Sequence, residues 1–432
     1  MISETTMKDN EELVEVVSDC EPLLVQERKH NIGLLSLKIL SGVFLVGCVC
    51  YLFLGISGDL PSAQENENEV SDLSVGKWIP NPAGPQYTNE TCNHIQSYTN
   101  CLNNGRPDRG YLYWRWKPSA CDLPPFNPVK FLNAMSDKSW AFIGDSILSN
   151  HVYSFICLLS KVEEPHEIHH DSTYKTRTWY YPFHNFTLYV IWAPYLVFYE
   201  TAGKHGDASE TNINELHLDM LDSQWTKEYH KFDYVVLSGS QWFYKSSIMI
   251  EDNQVIGCHN CPYKNLRELG VEETYRKALQ LSLKFIATSV HKPFVILRTW
   301  NPSHYESGDW ANERICNRSE PFKEGEINGD PTDLKMRNIE IEEFQKAAGI
   351  GARNGVQMKV LDTYHLSLLR PDGHPGPYGK YHPFDGDDKK NNVENDCIHW
   401  CLPGPIDSWN DLLMKMVIDD DDDARDPASG LF

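Results

Sequence analysis

The pattern of apolar and polar positions predicts short buried strands that alternate with helices. Short apolar runs rich in Val, Ile, Phe and Trp predict strands, and longer stretches with apolar residues at helical spacing predict amphipathic helices. The predicted strands are Trp140–Ile143, Leu188–Ile191, Tyr234–Ser238, Phe294–Thr299 and Met358–Leu361, and the predicted helices are Ser146–Leu159, Val271–Val290, Asp333–Asn354 and Ile406–Ile418. This alternation is typical of an α/β fold, with a mostly parallel central sheet and helices on both of its faces.

One long apolar segment precedes the alternating part of the chain. Residues 32–56 carry a single charged side chain, Lys38, and are long enough to cross a bilayer as a helix. Arg28 and Lys29 lie on the N-terminal side, so the positive-inside rule places the N-terminus in the cytosol and the rest in the lumen. No small-residue cleavage site follows closely, which favours a type II signal anchor over a cleaved signal peptide.

The anchor and the changes in composition define the predicted domain organisation. The polar, acidic N-terminus is a cytosolic tail, and a polar stem rich in Asn and Glu follows the anchor. A segment rich in Pro, Gly and aromatic residues, here called the cap segment, precedes the α/β domain. The predicted parts are a tail at 1–31, an anchor at 32–56, a stem at 57–75, the cap segment at 76–135, the α/β domain at 136–418 and an acidic tail at 419–432.

Charge and motif content limit the possible partners. The formal net charge of −22 argues against nucleic acid, because phosphate binding needs clustered Lys and Arg. The chain contains neither G-x-G-x-x-G nor G-x-x-x-x-G-K-[ST], so no nucleotide site is predicted. A cluster of His166, His169 and His170 resembles an exposed loop, and we predict no metal site there or elsewhere.

Cysteines and sequons are consistent with a luminal domain. Nine of the twelve cysteines follow the anchor, and an oxidising lumen favours disulfides. Because nine is odd, at least one of them is free or pairs with another chain. Cys258 and Cys261 form a C-x-x-C motif with no second such motif to complete a zinc site, so a local disulfide is favoured. The predicted N-glycosylation sites are Asn89, Asn185 and Asn317.

Two short motifs carry candidate chemistry. Gly144-Asp145-Ser146 lies between a predicted strand and a predicted helix, where free backbone N–H groups can stabilise an oxyanion next to a serine hydroxyl. Asp396 and His399 are three residues apart, so on one turn the carboxylate can orient the imidazole toward a serine. Taken separately, each motif is better explained by a helix cap or a structural histidine. His304 follows a predicted strand and is a candidate for contacting substrate or supporting the site, with structural packing as the alternative.

In this order and this far apart, the two motifs resemble the SGNH (GDSL-type) esterases, and the flanking residues narrow the resemblance to the plant trichome birefringence-like family. The stretches that carry it are Asn104-Gly-Arg-Pro-Asp108, Tyr113-Trp-Arg-Trp-Lys-Pro118, Phe142-Ile-Gly-Asp-Ser146 and Asp396-Cys-Ile-His-Trp-Cys401 with the Leu-Pro-Gly-Pro that follows. The resemblance implies a Golgi polysaccharide O-acetyltransferase with an SGNH-like three-layer fold, preceded by an irregular cap segment and a transmembrane helix. It implies that Ser146 is the nucleophile, His399 the base and then the acid, and Asp396 the residue that orients it.

The resemblance also implies a set of disulfides. The chain departs from the family pattern at two positions. The implied pairs are Cys92–Cys157, Cys101–Cys401 and Cys316–Cys397, with Cys258 and Cys261 left to bridge each other. Ser71 stands where the family usually carries the cysteine partner of Cys121, so we predict a free Cys121. Ser149 stands where many members carry Arg, so the oxyanion donors must lie elsewhere. The candidates are the Ser146 N–H, Asn150 and Gln241.

The expected function is acetyl transfer onto a cell-wall polysaccharide. Ser238-Gly-Ser-Gln-Trp-Phe243 and Leu369-Arg-Pro-Asp-Gly-His-Pro375 most resemble xyloglucan-acetylating members, with mannan and xylan as alternative acceptors. Trp242 and Trp300 are candidate sugar platforms. No cofactor is expected to remain bound, and an acetyl donor such as acetyl-CoA or another acetylated carrier is required. A carbohydrate acetyl esterase and a non-catalytic polysaccharide-binding protein are the rival functions.

Overall fold

The computed structural model describes residues 73–202, 213–263, 265–307, 315–385 and 393–425, with side chains up to residue 418. These residues form thirteen strands and seven α-helices. The strands are β1 Gly76–Pro80, β2 Trp114–Pro118, β3 Ser139–Gly144, β4 His166–His170, β5 Arg177–Tyr181, β6 Phe186–Trp192, β7 Val197–Ala202, β8 Ile213–Leu221, β9 Tyr234–Leu237, β10 Ser247–Glu251, β11 Gln254–His259, β12 Phe294–Arg298 and β13 Met358–Leu361. The helices are α1 Pro128–Ala134, α2 Ser146–Leu159, α3 Ser223–Thr226, α4 Val271–Thr288, α5 Pro331–Asn354, α6 Tyr364–Leu368 and α7 Asp407–Arg425.

The predicted anchor at 32–56 lies outside the described residues, as do the cytosolic tail and most of the stem. None of the helices in the described ranges is both long enough and apolar enough to cross a membrane. The type II topology therefore stays a prediction.

A seven-stranded sheet organises the domain. Its strand order is β13-β12-β9-β3-β6-β5-β4, and neighbouring strands run parallel from β13 to β6, while β5 and β4 are antiparallel. Strand β3 alternates between two hydrophobic cores, with Trp140 and Phe142 in one and Ala141 and Ile143 in the other. Helices α1, α2 and α7 pack on the first side and α4 and α5 on the second. This arrangement confirms the predicted three layers and the mostly parallel sheet.

A second sheet was not predicted from the sequence. It has the order β11-β10-β8-β7, and only its β8–β10 pair is parallel. Strands β10 and β11 form a hairpin through Asp252 and Asn253, whose φ angles of 52° and 59° suit these residue types. The Asp-Asn pair was the available turn signal, but the flanking runs are too short and mixed to be recognised as strands.

Disulfides attach the cap segment to the α/β domain. Cys92 bonds Cys157 of α2, and Cys101 bonds Cys401, which lies two residues after His399. Together with Cys258–Cys261 and Cys316–Cys397, all four implied pairs are confirmed. Cys121 is itself disulfide-bonded, so the prediction of a free thiol is wrong. That prediction rested on Ser71, which stands where the family usually carries the cysteine partner of Cys121.

One segment predicted as an exposed loop forms a strand, and a segment rich in Gly and Pro is buried. His166–His170 forms the exposed edge strand β4, because its backbone pairs with β5. Residues 371–376, although rich in Gly and Pro, are buried. Arg370 and Asp372 form an ion pair whose side chains are both 0% exposed.

The sequons lie at accessible positions. Asn185 and Asn317 are exposed and Asn89 is partly exposed. A glycan on any of the three would not displace a buried side chain, and glycosylation stays a prediction.

We expect the Cys101–Cys401 disulfide to stabilise the fold more than the Cys258–Cys261 disulfide. The first closes a separation of 300 residues and the second a separation of 3, and a disulfide stabilises more when it closes a longer loop. The double variant Cys101→Ala/Cys401→Ala should lose about 2–5 kcal/mol of unfolding free energy in denaturant titrations. The matched control Cys258→Ala/Cys261→Ala should lose less, and an equal loss would contradict this assignment.

Candidate active site

Ser146 begins helix α2 directly after strand β3. The turn between them needs Gly144, because an added Cβ would lie 2.6 Å from the Ser238 carbonyl oxygen. Asp145 caps the helix, with its Oδ1 accepting from the Ile147 N–H at 3.0 Å. The N–H of Ser146, at the first helical position, has no acceptor within the helix. The predicted strand–turn–helix junction is therefore confirmed.

The Asp145 carboxylate is buried beneath the serine. It is 1% exposed and accepts a hydrogen bond from the Ser240 hydroxyl. Burial raises the pKa of Asp145, while the nearby Arg298 guanidinium and the helix N–H groups oppose this rise. Arg298 is also fully buried, and its charge favours the carboxylate form of Asp145.

Asp396 and His399 form the second half of the candidate site. Asp396 Oδ1 accepts from the N–H groups of Ile398 and His399, at 3.1 and 3.0 Å, which fixes the turn. Its Oδ2 accepts from His399 Nδ1 at 2.7 Å, so the other ring nitrogen, Nε2, is left unbonded. The predicted pairing of the carboxylate with the imidazole is confirmed.

The electrostatics of this pair favour a charged imidazole. Burial alone would lower the pKa of His399, but the charge and hydrogen bond of Asp396 outweigh it and raise that pKa. Burial would likewise raise the pKa of Asp396, yet the attraction to His399 and the backbone N–H bonds hold it well below its usual range. Asp396 thus remains a carboxylate and stabilises an imidazolium when His399 takes up a proton.

Both halves open into one cavity of about 260 Å³, here called the Ser146 cavity. Its lining residues are Tyr98, Ser146, Ile147, Ser240, Gln241, Trp242, Gly379, Lys380, Glu394, Asn395, Asp396, Ile398 and His399. The structure thus brings together the predicted residues Ser146, Gln241, Trp242, Asp396 and His399. These residues come from three separate regions of the chain.

Asn150 does not line the cavity, and its prediction as an oxyanion donor is wrong. Its Oδ1 accepts from the Trp400 N–H at 2.7 Å, and its Nδ2 donates to the Trp400 carbonyl at 3.2 Å. The side chain is 0% exposed, so it has no path to a reacting atom. Asn150 instead clamps the peptide that follows His399 onto helix α2. Ser149, the departure from the family pattern, donates to the Asp145 carbonyl.

Gln241 and Trp242 both line the cavity but are partly engaged by the protein. The Gln241 amide nitrogen donates to the Asn301 carbonyl at 2.6 Å, which leaves one N–H for another acceptor. The Lys245 ammonium lies 3.1 Å from the centre of a Trp242 ring and covers one face of it. Burial, with the nearby Lys175, lowers the pKa of Lys245 to about 8. Only the part of Trp242 that Lys245 leaves uncovered is therefore available to contact a sugar.

Trp300 and His304 lie close to the site but are buried, so their predictions as substrate contacts are wrong. For His304 the alternative, structural packing, is the one that the structure supports. Trp300 is 0% exposed, and its indole N–H donates to Asp333 at 2.8 Å. His304 hydrogen-bonds His374 at 2.7 Å and the Leu368 carbonyl at 2.9 Å. Both residues follow strand β12, as predicted, but their polar atoms form hydrogen bonds with other groups inside the protein.

Three further residues of the site were missed from the sequence. His374 donates through Nδ1 to the His399 carbonyl at 2.7 Å, and its ring stacks on Trp400. Ser240 bonds Asp145, and the ring of Tyr98 packs against that of His399. The stretch Leu369-Arg-Pro-Asp-Gly-His-Pro375 contains His374 and was the available signal for it. In the sequence analysis, this stretch supports only the choice of xyloglucan as the acceptor. Nothing local marks Tyr98.

We expect Asn150→Ala to destabilise the fold by about 2–4 kcal/mol, because it leaves a buried N–H and a buried carbonyl of Trp400 without partners. Urea titration of the variant measures this loss. The adjacent Ser149→Ala removes only one partly exposed hydrogen bond and should cost less than about 1 kcal/mol. Similar losses in the two variants would show that Asn150 does not clamp the turn.

Comparison with known proteins fits this geometry. Residues 123–416 match the GDSL/SGNH-like acyl-esterase family found in Pmr5 and Cas1p, and residues 69–122 match the PMR5 N-terminal domain. The chain is 53% identical to trichome birefringence-like 26 of Arabidopsis thaliana over 80% of this chain and 77% of that protein. It is 40% identical to xyloglucan O-acetyltransferase 1 of the same plant over 82% of this chain and 85% of that protein. The chain therefore belongs to this GDSL/SGNH-like acyl-esterase family and, within it, to the trichome birefringence-like proteins.

Proposed function

We propose that the chain is a polysaccharide O-acetyltransferase that carries the acetyl group on Ser146. The observation that carries the proposal is the unbonded Nε2 of His399, a residue that lines the same cavity as Ser146 while Asp396 holds the opposite ring nitrogen. This division of roles is what a serine nucleophile needs from a general base. The relatives named xyloglucan O-acetyltransferase support acetyl transfer as the reaction.

The first half-reaction forms an acetyl-enzyme. His399 Nε2 takes the proton of the Ser146 hydroxyl while Oγ attacks the acetyl carbonyl of the donor. The Ser146 N–H at the start of α2 and the spare N–H of Gln241 are the proposed donors to the oxyanion. When the tetrahedral intermediate collapses, His399 returns the proton to the leaving group. The donor carrier departs and the acetyl group stays as an ester on Ser146.

The second half-reaction transfers the acetyl group to a sugar. A hydroxyl of the acceptor gives its proton to the same Nε2 and attacks the ester carbonyl. Collapse of this second intermediate returns the proton to Ser146 Oγ and releases the O-acetylated sugar. The Asp396 carboxylate stabilises the imidazolium in both halves. Water in place of the sugar would give a carbohydrate acetyl esterase, the main rival function.

Xyloglucan is the proposed acceptor. Three of the relatives, 39–40% identical, are named xyloglucan O-acetyltransferases. The acceptor rests on these relatives and on sequence motifs, while the reaction also rests on the geometry of the cavity. Mannan and xylan are the alternative acceptors. The donor is an acetylated carrier such as acetyl-CoA, and the proposed location is the Golgi membrane, with the α/β domain in the lumen.

We expect Ser146→Ala to lower acetyl transfer by about a thousandfold or more, because the hydroxyl that forms the ester is gone. NMR or mass spectrometry of the product, with xyloglucan, mannan and xylan oligosaccharides offered in turn, measures both the loss and the acceptor preference. Ser149→Ala, one turn along the same helix, is the matched control. Full activity of Ser146→Ala would rule out the acetyl-enzyme, and release of free acetate without transfer would favour the esterase.

We expect transfer to fall as the pH drops through the raised pKa of His399, because the imidazolium cannot accept the serine proton. In Asp396→Asn, the charge that raises this pKa is lost while burial still lowers it, so the fall should move to lower pH. The maximal rate should also drop by about 10²–10⁴-fold. A pH–rate profile of both proteins tests this, and an unmoved acidic limb would contradict the pairing.

A further inference from the structure

Of the described residues in the cap segment, Tyr98 alone lines the Ser146 cavity. Its ring lies 5.1 Å from that of His399, centre to centre, at an interplanar angle of 75°. This is the edge-to-face geometry that aromatic pairs prefer. The Asp396 hydrogen bond fixes one ring nitrogen, and the Tyr98 ring limits how far the imidazole can rock around that bond.

The backbone around Tyr98 is held in place on both sides. Tyr98 lies in a short 3-10 turn, Ser97–Thr99. Asn104 Nδ2 donates to the Ser97 carbonyl at 2.6 Å and to the Tyr378 carbonyl at 2.8 Å. After the tyrosine, the Thr99 carbonyl accepts from the Leu402 N–H at 2.9 Å. These contacts make the turn a rigid support.

A short covalent path also joins Tyr98 to His399. Cys101, three residues after the tyrosine, bonds Cys401, two residues after the histidine. The turn with Tyr98 and the turn with His399 are thus tied through one disulfide and through the Thr99–Leu402 hydrogen bond. The cap segment and the α/β domain therefore cannot move apart here without breaking these links.

The hydroxyl of Tyr98 is available to a ligand. It has no hydrogen-bond partner among the described residues, and it is not among the buried unpaired polar atoms. Burial of the ring raises its pKa, and the nearby Asp396 and Asp145 carboxylates add to this, so the phenol stays protonated and can donate. Ser146, His399 and Trp242 line the same cavity, which places this donor where a sugar hydroxyl must approach.

We propose that Tyr98 is a positioning residue for the His399 imidazole and that its hydroxyl contacts the acceptor sugar. This inference rests on the proposed acetyl transfer. It gives the cap segment a direct part in the reaction, since one of its side chains completes a cavity whose reactive groups lie on the α/β domain.

The test uses the full chain and the variants Tyr98→Phe, Tyr98→Leu and Tyr113→Leu. Tyr113 is an exposed tyrosine of the cap segment that does not line the cavity, so it is the control. Two reactions are measured: transfer from an acetyl donor to a xyloglucan oligosaccharide, and release of acetate without acceptor. Thermal melting of each variant shows whether it is folded.

Tyr98→Phe keeps the ring, so its main effect should be a rise of about 3- to 10-fold in the KM for the acceptor, with a smaller effect on kcat. Tyr98→Leu loses the ring as well, so kcat should fall about 3- to 10-fold in both reactions. The proposal is overturned if Tyr98→Leu matches Tyr113→Leu in both reactions, or if the KM for the acceptor is unchanged in Tyr98→Phe.

Failure of the proposed function gives a different result. If the unaltered chain releases acetate but transfers none to any sugar, transfer is wrong. The comparison of Tyr98→Leu with Tyr113→Leu in acetate release then still decides whether Tyr98 positions the histidine.

Discussion

The hydrogen bond between His399 Nδ1 and Asp396 Oδ2 is the interaction on which the proposed chemistry depends. It leaves the other ring nitrogen without a protein partner, and it keeps a charge beside the imidazole that raises the pKa of His399. The bond is useful only if the turn that carries both residues stays fixed. Much of the surrounding structure can be understood as support for that turn.

The support comes from every side of the turn. Disulfides attach Cys397 and Cys401 of the turn to Cys316 and Cys101. Asn150 of helix α2 hydrogen-bonds the N–H and the carbonyl of Trp400, and His374 donates a hydrogen bond to the His399 carbonyl. Asn150 lies on the first turns of the same helix as Ser146, so the proposed base is fixed directly to the element that carries the proposed nucleophile. Two residues so far apart in the chain gain their relative position from a few short-range contacts.

The sequence predicted the parts that depend on local pattern. The strands and helices of the main sheet follow apolar periodicity, the serine lies at a Gly-dependent turn, and Asp396 and His399 are close in the chain. The errors concern partners that are distant in sequence. Asn150 and His304 have suitable side chains near the site, but their polar atoms bond to Trp400, Leu368 and His374. Tyr98 was missed because it meets His399 only through the fold.

The central claim is that Ser146 carries the acetyl group between donor and acceptor. The most direct test is to incubate the chain with acetyl donor in the absence of sugar, stop the reaction rapidly and map the modified peptide by mass spectrometry. We predict an acetyl ester on Ser146 that disappears when the acceptor is added and appears in the sugar product. Transfer to the sugar with no acetylated Ser146 at any time, or an acetyl group on another residue, would contradict the account.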